Sequence, residues 1–348
     1  MVKTAVVILN WNGAAMLRRF LPSVVANSQS ESCEVIVADN ASTDSSLQVM
    51  REEFPHVRTI MLEKNWGFAA GYNKALEQVE AEYYVLLNSD VDVPEGWLCP
   101  LEKYMDAHAD VAAVQPKLLK YDISKEGDDC HTNHFEYAGA AGGFVDKYGY
   151  PYCRGRIFDD VEDDNGQYDT PMEVHWATGA CLMVRSKDYW AVGGLDERFF
   201  AHCEEIDFCW RLRISGKKIM CIPDSRAYHV GGASLPKGNP FKTFLNFRNN
   251  LTMLYKNLPQ RQLQSVMRMR YVLDLVATAM FLLSGKTGDA SAVMRARREF
   301  RKWKESFADQ REKIQHSRQI TDSDDTSAIF LLWQYHVLRK RKWSALCK

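Results

Sequence analysis

The sequence predicts an α/β fold with a Rossmann-like, mostly parallel central sheet flanked by helices, followed by a C-terminal helical extension. Three observations lead to this prediction. Short apolar segments alternate with helical patterns, and the connections between them are short, which is typical of right-handed crossovers in a parallel sheet. Polar clusters stand where the predicted strands end. After about Pro240 the pattern becomes helical throughout.

The elements follow from the apolar periodicity of each segment. The N-terminal half is predicted to contain strands at 5–9, 34–38, 59–62, 83–87 and 112–116, and helices at 14–26, 42–53 and 66–79. Residues 120–170 lack periodicity, and we expect loops and a hairpin there that cover the site. Beyond them we expect a helix at 186–192, an amphipathic helix at 204–216, and strands at 218–223 and 227–229.

Composition limits the class of protein. The chain has 348 residues, 46% hydrophobic and 26% charged, which is ordinary for a globular protein with a core. A net charge of −1 does not favour nucleic acid as a partner. Nine cysteines without a Cys-x-x-Cys pair indicate reduced thiols in a cytoplasmic protein. No uninterrupted apolar run reaches the length of a membrane span.

Two aspartates follow the most apolar of the predicted strands. The strand at 83–87 leads directly into Asn88, and Asp90 and Asp92 come next. Ligands of open α/β sheets bind beyond the carboxyl ends of the strands, and unpaired buried carboxylates are too costly to serve packing. This pair suits a hard divalent cation, which takes oxygen ligands both from carboxylates and from a bound phosphate. The alternative is a polar exit from the strand into a turn.

Other strand ends carry polar or small residues. Asn10 and Asn12 follow the first strand, and Asp39 follows the second, where an acidic side chain suits a base or ribose contact. Asn65 and Gly67 precede a helix whose first N–H groups favour anions. Turn or cap chemistry is the alternative for each cluster. The glycine fingerprint of a dehydrogenase is missing from the first turn, which disfavours hydride transfer.

Three acids crowd the start of the helix at 204–216. A favourable interaction with the helix dipole would explain the presence of these acids without any catalytic role. The three residues are Glu204, Glu205 and Asp207. They also repel one another, which raises the pKa of at least one and makes it a plausible general base. Arg211 stands four residues after Asp207, a spacing that allows an intrahelical ion pair.

These motifs in combination resemble the inverting glycosyltransferases of family 2, which have the GT-A fold, and in particular their bacterial rhamnosyltransferase-like branch. The resemblance covers roughly residues 4–255. The motifs that carry it are Val6-Val7-Ile8-Leu9-Asn10-Trp11-Asn12, Asp39-Asn40-Ala41-Ser42-Thr43-Asp44, Asn65-x-Gly67-Phe68-x-x-Gly71-x-Asn73, Leu87-Asn88-x-Asp90, Thr178-Gly179-Ala180, Gly194-x-Asp196-Glu197-x-Phe199-Phe200 and His229-x-Gly231-Gly232-x-Ser234.

The resemblance implies roles for the residues on the donor side. Asn10 and Asn12 would line a nucleotide pocket, and Asp39 would contact the nucleobase. Asn65 and Gly67 would lie near the ribose or diphosphate. The resemblance further implies a divalent metal, Mg²⁺ or Mn²⁺, and its ligands would be Asp90, Asp92 and His229.

The resemblance also implies a base and an acceptor side. The base position falls on Glu205, but this chain has Glu-Glu where the family usually has Glu-Asp, so Asp207 stays open as an alternative. Thr178, Gly179 and Glu204 would lie on the acceptor side. Trp176 either lines that side or packs in the core.

The implied function is metal-dependent, inverting transfer of a sugar from a nucleotide-diphosphate donor, of the dTDP-rhamnose or UDP-sugar type. The acceptor would be a saccharide or lipid-linked saccharide in cell-surface polysaccharide assembly. One alternative is a non-catalytic module that binds nucleotide sugars or saccharides in a membrane-associated complex. Another is a sugar-nucleotide pyrophosphorylase, but the first loop lacks the glycine-rich, arginine-bearing sequence that such an enzyme needs.

We expect two domains, a catalytic domain at 1–240 and a helical extension at 241–348. Basic residues flank the apolar part of the extension, which is typical of a helix lying on an anionic membrane surface. A helical cap on the catalytic domain, or a dimer contact, is the alternative. The expected location is the cytoplasm, with peripheral attachment to the inner membrane.

Overall fold

The computed structural model describes residues 2–231, 239–321 and 325–346. Gly232 and Ser234 of the last sequence motif lie outside the described residues. The strands are β1 (Val2–Asn10), β2 (Cys33–Asp39), β3 (Arg58–Met61), β4 (Ala81–Asn88), β5 (Val91–Asp92), β6 (Val111–Tyr121), β7 (His131–Phe135), β8 (Gly143–Val145), β9 (Pro151–Cys153), β10 (Arg156–Ile157), β11 (Asp160–Val161), β12 (Met172–Glu173), β13 (Cys181–Arg185) and β14 (Lys218–His229). The helices are α1 (Ala14–Ser28), α2 (Ser46–Glu53), α3 (Gly67–Leu76), α4 (Leu98–Ala107), α5 (Ser186–Ala191), α6 (Glu204–Ile214), α7 (Pro240–Asn257), α8 (Gln260–Leu283), α9 (Thr287–Trp303), α10 (Ala308–His316) and α11 (Trp343–Leu346).

The central sheet is mostly parallel, as predicted. Its strands are ordered β12-β14-β6-β13-β4-β1-β2-β3, with β5 added beside β14 and β7 beside β6. Strands β1 to β4, β6 and β14 point the same way, while β13 runs antiparallel between β4 and β6. The carboxyl ends of β1, β2 and β4 therefore lie side by side, with Asn10 opposite Asp39 and Leu9 opposite Asn88.

Both faces of the sheet are buried, which explains why its strands are almost continuously apolar. Along β1, Ala5 and Val7 join one core cluster, and Val6 and Ile8 join the cluster on the opposite face. Since side chains alternate along a strand, helices must cover both faces. The α/β class and the helical C-terminal region are confirmed.

Three expectations from the sequence are wrong. Residues 120–170 form strand β7 and a small antiparallel sheet of β8 to β11 instead of loops and one hairpin. Its core residue Tyr152 is buried, and Trp343 of the C-terminal segment packs on Phe144. Helix α6 is buried on nearly every side and is not amphipathic. The two strands predicted at 218–223 and 227–229 are one strand, β14, with an irregularity between Ile222 and Arg226.

The C-terminal helices pack on the α/β part and share its core. Leu254 and Leu258 belong to the same buried cluster as the residues of β1 and β4. Helix α7 begins at Pro240, close to the predicted domain boundary, and the division into two domains remains a prediction. Within the described ranges, no helix combines the length and apolar character that a transmembrane span requires. All eight cysteines in these ranges are free thiols.

Candidate functional site

The ends of β1 and β2 form a polar cluster held by short hydrogen bonds. The buried Asn10 side chain donates from Nδ2 to Asp39 Oδ2 at 3.1 Å and to Ser42 Oγ at 3.2 Å. Asn12 has a left-handed backbone (φ 53°), and its Oδ1 accepts the backbone N–H of Thr43 at 2.7 Å. The predicted donor-side residues Asn10, Asn12 and Asp39 therefore meet at one edge of the sheet.

Asn40 connects this cluster to the start of α3. Its Nδ2 donates to Asn65 Oδ1 and to the carbonyl oxygen of Gly67, each at 3.1 Å. Gly67 has a φ of +76°, and a Cβ placed there would lie 2.9 Å from the ring of Phe200. This close approach, which requires glycine, joins the α3 motif to the loop that leads into α6.

The turn after β4 meets the end of β14 in a buried ion-paired group. Asp90 Oδ1 lies 3.1 Å from His229 Nε2, and Glu136 Oε2 lies 3.3 Å from His229 Nδ1. All three side chains are less than 10% exposed. Burial opposes charge on the imidazole, but Asp90 and Glu136 outweigh it and raise the pKa of His229 to about 10. Burial also opposes ionisation of Asp90, yet His229 holds the pKa of its carboxyl below the ordinary value.

Asp92, the third predicted metal ligand beside Asp90 and His229, has different partners. Its carboxylate lies 2.5 Å from His131 Nε2 and accepts a hydrogen bond of 2.5 Å from Ser23 Oγ of α1. Along the described ranges no three His, Cys, Asp or Glu side chains are arranged as a ready metal site. Asp92 thus connects α1 and β7, and of the three predicted metal ligands only Asp90 and His229 contact each other.

Asp90 and His229 nevertheless fit a divalent metal that displaces a proton from the imidazolium and takes further ligands from a diphosphate and water. A ligating histidine usually has its second ring nitrogen held by a carboxylate, and Glu136 stands at that nitrogen. Asp90 supplies the oxygen ligand that Mg²⁺ and Mn²⁺ prefer. Glu136 is therefore the residue expected to orient the imidazole of His229.

We expect Glu136→Gln to weaken Mn²⁺ binding by about 10-fold to 100-fold, because an amide cannot fix the ring as a carboxylate does. Titration of Mn²⁺ followed by electron paramagnetic resonance measures the affinity without any turnover. Glu162→Gln is a suitable control, since this similarly buried carboxylate accepts its hydrogen bonds from Tyr168 and from the backbone N–H of Trp343 instead. Equal affinities for Glu136→Gln and the unaltered protein would contradict the orienting role.

Glu204 and Glu205 lie in the first turn of α6, and each has a carboxylate oxygen without a hydrogen-bond partner among the described residues. Glu204 is buried and Glu205 is half-buried, and in each this oxygen is the inaccessible Oε2 atom. Burial raises the pKa of Glu205 to about 7. Burial together with the charge of Glu205 raises the pKa of Glu204 well above its ordinary value. Glu205, with partial exposure and a pKa near neutrality, has the properties of a general base.

The segment at 178–180 links the two acidic groups. The backbone N–H of Asn88 donates to the carbonyl of Ala180 at 3.0 Å, which places the segment beside the turn that carries Asp90. A Cβ placed on Gly179 would lie 3.6 Å from Cβ of Glu205. Although far apart in sequence, the regions around Asp90 and Glu205 therefore belong to one side of the molecule.

Comparison with known proteins identifies the family. Residues 5–160, which contain β1 to β4 and the Asp90 turn, match the family model described as "Glycosyl transferase family 2". Residues 5–160 belong to glycosyl transferase family 2. The chain is 24% identical over 237 residues to the N-acetylglucosaminyl-diphospho-decaprenol L-rhamnosyltransferase of Mycobacterium tuberculosis, covering 64% of this chain and 75% of that protein.

Solved structures of glycosyltransferases share the fold, which confirms the GT-A architecture. GalNAc-T7 with UDP, GalNAc and Mn²⁺ superimposes with a TM-score of 0.58 at 14% identity, over 89% of this chain and 57% of that chain. The mannosyltransferase PcManGT from Pyrobaculum calidifontis, with GDP-Man and Mn²⁺, gives a TM-score of 0.50 at 14% identity, over 93% and 88%. This chain thus spans little more than half of the first of these structures.

Within the family 2 architecture, Asp207 is the second acid that the sequence left open as a base. It is fully buried, and its Oδ2 accepts hydrogen bonds from Arg211 Nε at 2.9 Å and Lys256 Nζ at 2.7 Å. Asn257 Nδ2 donates to its other oxygen at 2.8 Å. A carboxylate with three cationic or amide partners and no exposure is poorly placed to take a proton from a substrate. These contacts favour Glu205 over Asp207 as the predicted base.

Trp176 packs in the core of the glycosyltransferase, which decides between the two alternatives for this residue. Its indole is 2% exposed, donates to the carbonyl of Phe144 at 3.0 Å and lies flat against Gly143. This packing favours the core alternative for Trp176. Thr178 is also buried, and its backbone N–H donates to Gln115 Oε1 at 2.9 Å, so it positions Gly179.

Sequence reasoning missed several residues that shape the site. Glu136 lies in the aperiodic segment 120–170, and nothing in its local pattern marks it. Lys256 and Asn249 face inward from α7. In the sequence, the available signal was the polar residues that stand between the apolar residues of this helix. Asn73 was quoted only as part of a motif, yet its Nδ2 donates to the carbonyl of Leu195 at 2.8 Å and holds the loop before α6.

Proposed function

We propose that this protein is an inverting glycosyltransferase that moves a sugar from a nucleotide-diphosphate donor to a saccharide acceptor. The observation that carries the proposal is the position of the 178–180 segment, which contacts both the Asp90 turn and Glu205. A donor diphosphate bound near Asp90 and an acceptor hydroxyl beside Glu205 would then lie on the same side of the molecule. The non-catalytic alternative would leave the raised pKa of Glu205 without a use.

Each group has a chemical task in the proposed reaction. Glu205 takes the proton from the acceptor hydroxyl, and that oxygen attacks the anomeric carbon in a single displacement that inverts the configuration. The nucleoside diphosphate leaves with the electron pair of the broken bond. Asp90 and His229 would hold a divalent metal, Mg²⁺ or Mn²⁺, which neutralises charge on the departing diphosphate. The Asn10, Asn12 and Asp39 cluster and the Asn65–Gly67 motif would bind the nucleotide.

The relatives narrow the substrates that we propose. The name of the mycobacterial relative contains a rhamnosyl group and a lipid diphosphate that carries N-acetylglucosamine, and it supports a lipid-linked saccharide acceptor. We propose a dTDP-rhamnose or UDP-sugar donor and a role in cell-surface polysaccharide assembly. Helix α8 exposes an apolar side that includes Val272, Val276, Met280 and Leu283. Such a helix suits the surface of an anionic membrane. We accordingly propose action at the cytoplasmic face of the inner membrane.

The paired variants Asp90→Ala and Asp92→Ala test the proposal. Asp90→Ala is expected to reduce sugar transfer at least about 100-fold, because donor-phosphate charge would no longer be neutralised. Asp92→Ala is expected to keep most of the activity, since that carboxylate binds Ser23 and His131. Turnover of a panel of nucleotide sugars with Mn²⁺, followed by mass spectrometry, provides the measurement. Unchanged transfer by Asp90→Ala would refute the role of Asp90.

The non-catalytic alternative makes a different prediction. Calorimetry with the same nucleotide sugars, with and without Mn²⁺, would show metal-dependent binding in both cases. Only an enzyme would convert the bound donor when saccharide and lipid-linked acceptors are supplied. Binding without conversion across the whole acceptor panel would favour a binding module.

A further inference from the structure

A cavity of about 490 Å³ lies between α7 and α9, outside the residues assigned so far. Two aromatic and four charged side chains line it, namely Phe244, Arg248, Arg295, Glu299, Lys302 and Trp303. Three cations and one carboxylate give the lining a net charge of +2. A concave site with this excess of positive charge and aromatic walls favours an anionic ligand.

Among the residues that line the cavity, Arg248 is held in place by a ring contact and by hydrogen bonds. Its guanidinium lies 4.3 Å from the ring centroid of Trp303, and its Nη2 donates to Asn249 Oδ1 at 2.8 Å and to the carbonyl of Phe199 at 3.3 Å. Burial lowers the pKa of Arg248 below its ordinary value, and the charge of Glu299 only partly opposes this effect. An anionic group entering the cavity would restore the lost stabilisation.

The side chains of the other two cationic residues can change conformation. Arg295 lies with its guanidinium 4.9 Å from the ring of Phe244, and Lys302 Nζ lies 3.5 Å from Glu299 Oε1. Both side chains are exposed. They can reach a ligand at the mouth of the cavity, because ion pairs at such exposure are weak and break easily.

The cavity adjoins the loop that leads into α6, the helix of the proposed base. Asn249, next to Arg248, donates from Nδ2 to the carbonyls of Phe199, Ala201 and His202 at 3.0, 2.8 and 2.8 Å. This loop runs directly into Glu204 and Glu205. The same helix α7 therefore holds both the floor of the cavity and the approach to the base.

Helix α8, which carries the exposed apolar side, packs against α9. Arg297 of α9 forms an ion pair with the buried Asp274 of α8. The apolar surface of α8, the basic residues of α9 and the α7–α9 cavity are thus carried by helices that contact one another. These features match the parts of an amphiphile with an apolar tail, a charged linker and a sugar.

We propose that the α7–α9 cavity binds the diphosphate of a lipid-linked acceptor, with the lipid lying along α8 and the sugar reaching Glu205. This inference rests on the proposed function. A diphosphate carries at least two negative charges, which matches the net charge of the lining, and arginine binds phosphate oxygens through parallel N–H donors. The donor's own diphosphate is assigned elsewhere, to the region of Asp90 and His229.

The test uses the double variant Arg295→Gln/Lys302→Gln, which alters exposed side chains and leaves Arg248 and the loop intact. With a diphosphate-linked lipid acceptor we expect KM to rise about 10-fold to 100-fold, because two exposed charged partners of the diphosphate are lost. KM for the nucleotide donor should stay unchanged, as should transfer to an acceptor with a neutral linker. The matched control is Arg298→Gln/Arg301→Gln, two exposed arginines of α9 outside the cavity lining.

Direct binding separates failure of this inference from failure of the proposed function. Geranyl diphosphate, titrated against the full chain and followed by tryptophan fluorescence, is expected to bind the unaltered protein and to lose affinity in the Arg295→Gln/Lys302→Gln variant. This outcome would support the cavity even if no transfer were found. Equal binding by both proteins would refute it. So would a loss confined to phosphatidylglycerol vesicles, which would assign the basic residues to the bilayer instead.

Discussion

Replacement of Glu205 by glutamine is expected to reduce kcat by about 10²-fold to 10⁴-fold, while the affinity for the nucleotide donor stays within a factor of about two. The amide keeps the size and the packing of the side chain but cannot accept the proton of the acceptor hydroxyl. Donor affinity is preserved because the nucleotide side is built from β1, β2 and α3, away from α6. Steady-state transfer kinetics and donor calorimetry give the two readouts.

The pH dependence follows from the same carboxyl group. Burial raises the pKa of Glu205 to about 7, so below that pH the base is protonated and inactive. We expect kcat/KM of the unaltered enzyme to rise as the pH increases through about 7 and then to level off. The residual activity of Glu205→Gln should lack this rise. If Glu205→Gln transferred sugar at the full rate, the base would have to be another residue.

Stability provides an independent check on the environment of Glu205. A carboxyl with a raised pKa binds its proton more tightly in the folded state, so it lowers stability increasingly as the pH rises from about 4.5 to about 7. Glu205→Gln removes this penalty. We expect the variant to be about 1–3 kcal/mol more stable than the parent at pH 8, and nearly equal to it at pH 4. Equal stability at both values would indicate that the carboxyl is well solvated.

Replacement of Lys256 by methionine is expected to lower the free energy of unfolding by about 3–5 kcal/mol. The ammonium group is fully buried and donates to Asp196 Oδ2 and Asp207 Oδ2, each at 2.7 Å. Burial opposes ionisation of Asp196, but Lys256 and Arg198 hold its pKa well below the ordinary value. Methionine fills a similar volume yet leaves two carboxylates buried with fewer partners. Urea unfolding measures the loss.

The matched control for Lys256 is Lys304→Met. Lys304 is 41% exposed and pairs with Glu305 at 3.2 Å on the surface, where an ion pair contributes about 0–1 kcal/mol. The double variant Lys256→Met/Asp207→Asn should recover part of the lost stability, because it removes the charge of one of the two carboxylates that pair with Lys256. If Lys256→Met were as stable as Lys304→Met, the buried network would contribute nothing to the fold.

The strands of the α/β region could be predicted because their apolar residues are local signals of burial. The segment 83–87 was predicted as a strand, and β4 covers Ala81–Asn88. The strands within residues 120–170 could not be predicted by the same reasoning, since they are two to five residues long and depend on contacts with the C-terminal segment. Periodicity needs several turns or alternations, and such short strands do not supply them.

The pattern of residues along the chain was enough to establish the α/β class, the family resemblance, and the placement of Asn10, Asp39 and Asp90 at one edge of the sheet. Parallel strands always bring their carboxyl ends together, whatever the details of packing. Only the tertiary structure distinguished Asp90 from Asp92 and Glu205 from Asp207. In each pair the acids are two residues apart and chemically alike or nearly so, and their roles depend on distant partners: His229 for Asp90, Ser23 for Asp92, and Lys256 for Asp207. Charge and proton affinity in a protein are set by the groups within a few ångströms, which the local sequence does not contain.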